Sequence, residues 1–200
     1  MSKDTHSVKS IKGFRKIILV IYSGWERLYY RINNVQAENK DDLLYIRPML
    51  YKGPPIQLDD GTVIEKGDQV LQLHFNNRIL VETSLSSKNT MHMITTLLRM
   101  MKTTLKRLGE KVSSESYASV KGLYGVSLMY RGATQFGFSV IDMPKGFGKK
   151  YQYFYLRMLM AIMHPNGKQR LKQKTDLLTP KIVAVSREHF LKHINQEKSS

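Results

Sequence analysis

Two hundred residues, with 42% hydrophobic and 24% charged side chains, describe one globular domain that can bury a sizeable core. Lysine and arginine number 32 against 16 acids, a net charge of +16, which points to a polyanionic partner: nucleic acid, an anionic membrane surface, or a phosphorylated or acidic glycan. A basic surface kept for solubility is the plain alternative. The absence of cysteine excludes disulfides, thiol nucleophiles and cysteine-ligated metal sites, and it fits a reducing cytoplasm.

The N-terminus imitates a targeting signal without completing one. Lys9, Lys12, Arg15 and Lys16 precede an apolar run at 17–22, but no small-residue cleavage site follows. The run also falls far short of the roughly 20 apolar residues that span a bilayer, so no transmembrane segment is expected. After a disordered tail over 1–10, the spacing of Ile11, Phe14, Ile18, Ile21, Trp25, Leu28 and Ile32 predicts a helix over 11–32. Its basic residues lie mostly off that stripe. A core helix with a solvated basic face and an interfacial helix both fit the pattern.

Residues 33–42 read as a polar loop, and 43–50 as a strand that Pro48 marks as an edge or a bulge. Three turn signals follow, at Gly53-Pro54-Pro55, Asp59-Asp60-Gly61 and Lys66-Gly67-Asp68. Leu71, Leu73 and Phe75 then alternate with Gln72, His74 and Asn76, which puts the apolar trio on one face of a strand. The run stops at Asn76-Asn77-Arg78, residues that favour a turn or a strand end. The expected result is a histidine and one or two carboxamides at the rim of a sheet, beside a tight acidic hairpin. Residues 79–81 either extend a strand or lead into a helix.

The clearest helix is predicted over 90–108, on the stripe Ile94, Leu97, Leu98, Met101, Leu105 and Leu108. Ser86, Ser87 or Asn89 can cap its start and Gly109 can end it. Arg99, Lys102 and Lys106 share its exposed side. Residues 123–130 read equally as strand or short helix, and 136–141 as a strand closed by Pro144. The glycine-rich run at 146–150 lacks the spacing and the Ser or Thr of a phosphate loop, so no nucleotide cofactor is expected.

Residues 151–163 predict a helix apolar nearly all round, either buried or set in a non-aqueous medium. Between Asp142 and Asp176 there is no acid and there are eight lysines or arginines. An aromatic and methionine helix beside such a tract is what an anionic bilayer surface selects; a core helix followed by a basic loop is the bland reading. The chain closes with a strand at 181–185, Ser186 as N-cap and a helix over 187–194. His189 and His193, four apart with Glu188 nearby, have metal-ligand spacing, but no third histidine joins them and no metal is expected.

The segments GPP-x-x-L-x-DGT at 53–62, KGD at 66–68 and LHFNNR at 73–78 together resemble the YkoP-like domain. So do WERLYYRI at 25–32, LYGVSLMYRGATQFGFSV at 123–140, MHPNG at 163–167 and the closing VAVSREHFLK. The resemblance covers about 24–194. That domain occurs alone and appended to bacterial polysaccharide deacetylases, which implies an envelope-associated accessory role and carries over no catalytic residue. The histidine and aspartate spacing of a deacetylase is missing here.

The expected fold is a single α+β domain over 11–195 with a short tail at 196–200. A small mixed or antiparallel sheet would be covered by helices near 12–32, 90–108 and 149–163. The favoured function is a noncatalytic module binding an anionic lipid headgroup or glycan, in the cytoplasm and peripheral on the inner face of the plasma membrane. Arg78, Lys149, Lys150, Lys168, Arg170, Lys172 and Lys174 are its candidate anion contacts. The enzymatic alternative uses His74 as acid-base, Asn76 and Asn77 as orienters, Arg78 as anion contact and Asp59, Asp60 or Asp68 from the hairpin. The third reading is a nucleic-acid binder without sequence preference, since the charge is present and no readout motif is.

Overall fold

The computed structural model of the chain describes residues 41–127, 130–144 and 180–198. The helices expected at 11–32 and 149–163 lie outside them. So do Lys149, Lys150, Lys168, Arg170, Lys172 and Lys174.

The described residues form a single α+β domain on a mixed sheet. Strand β1 (Leu44–Leu50) is followed by a hairpin of β2 (Ile56–Gln57) and β3 (Val63–Ile64), then by β4 (Gln69–Phe75). Helices α1 (Asn77–Ser86) and α2 (Thr90–Val112) lead to β5 (Gly122–Ser127), β6 (Ser139–Asp142), β7 (Lys181–Ser186) and α3 (Arg187–Lys198). The main sheet runs β1-β4-β5-β7-β6, with β4 and β5 parallel and the other neighbours antiparallel. The α1–α2 pair carries the chain across between the two parallel strands, as that pairing requires. Pro48 lies in β1, an end strand of this order, where a missing N–H does least harm.

Strand alternation sorts two cores onto the two faces. Leu44, Ile46, Leu71, Leu123 and Val185 face Leu105, Leu108 and Val112 of α2 and Phe190 and Ile194 of α3. On the other face Val70, Ile182 and Ala184 meet Tyr51, Ile56, Leu58 and Ile64 from the hairpin region. Gly61 and Gly67, at φ 86° and 100°, make the turns on either side of β3.

The segment at 79–81 belongs to α1, not to a strand. Of the two readings at 123–130, the strand holds through Ser127, and a 3-10 turn spans Tyr130–Gly132. The strand expected over 136–141 covers Ser139–Asp142, while Phe136 closes another 3-10 turn. Helix α2 does not stop at Gly109 but runs on to Val112. The glycine is there for packing: a Cβ on it would lie 2.9 Å from Cγ2 of Ile194, so its bareness lets α3 approach. Asn89 caps α2 through the His92 N–H, at 2.8 Å, and Ser186 Oγ accepts the His189 N–H of α3 at 3.1 Å.

Candidate functional site

The residues grouped by sequence around His74 take three separate roles. His74 lies near the end of β4, opposite Tyr45 of β1, with its Nε2 shut off from solvent. Burial and the charge of Arg47 push its pKa down to about 4. At neutral pH it is therefore an uncharged imidazole, with no imidazolium proton to give as an acid and little basicity with which to take one up.

Asn76 is a structural tie. Its side chain accepts the Ile79 N–H at 3.4 Å as the N-cap of α1 and donates from Nδ2 to the Asp42 carbonyl at 3.1 Å. Its own N–H bonds the Leu43 carbonyl at 2.8 Å. Asn77 opens the helix, and Arg78 faces outward in an i,i+4 pair with Glu82 at 3.1 Å. Asp42, buried beside this cap, accepts from Arg107 of α2 at 2.5 Å, and Leu43 N–H donates to Thr104 at 3.0 Å. The end of β4 is thus bolted to both helices.

The acidic hairpin lies elsewhere. Asp68 precedes β4, six residues from His74, which at ~3.3 Å per residue puts them about 20 Å apart. Its carboxylate accepts the Glu65 N–H at 2.8 Å and shapes its own turn. Asp60 bonds the hydroxyl of Ser186, which pairs with Gly122 and through it with Val70, four residues or about 13 Å before His74. His74, Asn77 and the hairpin aspartates do not converge. Nearness in sequence was misleading because an extended strand separates its ends.

The hairpin tip instead helps form a cleft of about 170 Å³ against β6 and the start of α3, lined by Asp59, Asp60, Thr134, Ser139, Ser186 and His189. Asp59 N–H donates to Ser139 Oγ at 2.9 Å, and Asp60 Oδ1 accepts the Thr62 N–H at 2.9 Å. Burial raises the Asp60 carboxyl, but the bonds from Ser186 and Thr62 and the nearby His189 outweigh it and hold the pKa below the usual value. Serine, histidine and aspartate meet here without forming a triad. In a triad the histidine stands between the other two. Here Ser186 is buried, gives its proton to Asp60 and spends its lone pair on the α3 cap. The cleft reads as a latch holding the hairpin on the sheet. Its Thr134, Ser139 and Ser186 were not legible as site residues, since the Asp60–Ser186 bond joins positions 126 apart.

His189 and His193, one turn apart on α3, both approach Gly137: a Cβ there would be 3.5 Å and 3.3 Å from their rings. Among the described residues no group of three histidines or acids could hold a metal ion. No helix among them is long and apolar enough to cross a membrane. The remaining feature of note is the solvent side of α2, where Arg99, Lys102 and Lys106 are all exposed.

The family model of the YkoP domain matches residues 15–194. The chain is also similar to the "Uncharacterized protein YkoP" of Bacillus subtilis (strain 168), 23% identical over 126 residues, which cover 62% of this chain and 69% of that protein. No solved structure matches it.

Proposed function

The chain belongs to the YkoP domain family, and we propose that it is a noncatalytic module that binds anionic headgroups or acidic glycan of the cell envelope, peripherally, from the cytoplasmic side. One observation carries this reading. From Glu82 to Glu110 the chain holds Lys88, Arg99, Lys102, Lys106 and Arg107 with no intervening acid, and the stripe of Arg99, Lys102 and Lys106 is exposed. An exposed run of three cations along one helix face, ended by Glu110 one turn past Lys106, is the electrostatic footprint of an anionic surface. The acid-free basic stretch at 145–174 adds to it on sequence grounds.

The enzymatic alternative is less well supported, because the hairpin carboxylates stand too far along β4 to act with His74. Each cation held near an anionic leaflet contributes about 1 kcal/mol. Co-sedimentation with anionic vesicles should therefore weaken roughly a hundredfold when Arg99, Lys102 and Lys106 are all changed to Gln. Unchanged binding by that folded variant would show that the helix face does not contact the anionic surface.

A further inference from the structure

Three large apolar side chains stand exposed around the start of α2. Its core-facing stripe, with Leu105, Leu108 and Val112 buried and Leu98 and Met101 partly so, continues at the same three- and four-residue steps back through Ile94 and Met91. Before Leu97, the first buried residue of the helix, the core no longer covers that stripe. Ile94 is 44% exposed and Met91 71%; Leu85, at the end of α1, is 40% exposed. A lone exposed aliphatic such as Leu50 needs no explanation, but three around one helix junction do. The exposed Lys88 lies in the connection between them, and the nearest acids along the chain are Glu82 and Glu110.

We infer that the α1–α2 junction is a bilayer-insertion element: Leu85, Met91 and Ile94 enter the headgroup and acyl boundary of an anionic leaflet while Lys88, Arg99 and Lys102 remain among the headgroups. This rests on the anionic-surface reading above and commits it to lipid over glycan. Charge complementarity selects the occupant. Apolar side chains followed by Lys88, Arg99 and Lys102, with the one nearby acid, Glu82, engaged by Arg78, match an anionic interface, where amphipathic helices settle about 5–10 Å deep. A protein partner carrying its own acidic rim would also satisfy the cations, and it would leave position 91 unresponsive to vesicles.

The chain lacks cysteine, so Met91→Cys creates a single labelling site in the full-length protein. Lys66→Cys, in the exposed turn before β4, is the control. Each is labelled with an environment-sensitive fluorophore and titrated with vesicles of phosphatidylglycerol and phosphatidylcholine, co-sedimentation being read in parallel. The expected result is a several-fold, blue-shifted rise in emission at position 91 with anionic vesicles, and none at 66. Changing Leu85, Met91 and Ile94 together to Ser should lower vesicle affinity about tenfold without altering the fold. If the protein co-sediments while position 91 stays in water, the insertion is wrong and the electrostatic reading survives. An equal rise with purely neutral vesicles overturns the charge argument. A rise that needs only higher protein concentration makes the occupant a second copy. If nothing co-sediments, both readings fall.

Discussion

Replacing His74 by Gln should flatten part of the protein's stability profile below neutral pH. The histidine pKa is lowered from 6.5 to about 4 by burial and by Arg47. As pH falls, the unfolded chain therefore takes up this proton first. The contribution is fully present above the unfolded pKa, shrinks between pH 6.5 and about 4, and changes no further below that. At 1.36 kcal/mol for each pH unit between 6.5 and about 4, the loss is about 3 kcal/mol. Urea denaturation from pH 7 to pH 4 measures it. The wild-type curve minus the His74→Gln curve cancels the groups common to both, and that difference should fall by about 3 kcal/mol across the window. A flat difference, or one that rises toward acid, would refute the neutral buried imidazole. Arg47→Gln should narrow the window from its acid end.

Asn76→Ala should destabilise by about 2–4 kcal/mol, adding a lost cap to an unsatisfied Asp42 carbonyl, and a urea midpoint shift at constant slope would show it. Loss of less than about 0.5 kcal/mol would mean the cap is dispensable. Gly109→Ala gains about 1 kcal/mol of helix propensity but forces a methyl onto Ile194, so it should come out net destabilising; in an Ile194→Ala background it should turn neutral or stabilising. Binding to nucleic acid should be weak, salt-sensitive and indifferent to sequence; a gel shift with strong preference for one sequence at physiological salt would overturn that.

Much of this fold was legible because local chemistry agreed with the outcome. The stripe of α2, the caps at Asn89 and Ser186 and the strand at 43–50 with Pro48 in an end strand each rest on residues within a few positions of one another. Asn76 was read as a turn or strand end because asparagine serves turns and N-caps equally, although Phe75 before it and Leu80 four residues after have the spacing of a hydrophobic staple. Gly109 has the residue type of a helix stop, and only its contact with Ile194, 85 positions later, gives the other role. The grouping of His74 with the hairpin failed for a metric reason: six residues are close in a turn and about 20 Å apart in a strand. The Asp60–Ser186 latch joins two segments that share no local pattern. The exposure of Met91 and Ile94 was hidden for the opposite reason, since their spacing is that of core residues and only the end of the packed core separates them from it.

Attraction to an anionic surface is read out by the vesicle partition coefficient of the full chain as anionic lipid is raised from none to half, at low and at high salt. Partitioning should be negligible on neutral vesicles, rise steeply with anionic fraction, and be only partly released by salt, because an apolar contribution is not screened. Changing Lys168, Arg170, Lys172 and Lys174 to Gln should lower the rise several-fold. Partitioning that is equal on neutral and anionic vesicles, or absent from both, would contradict that attraction.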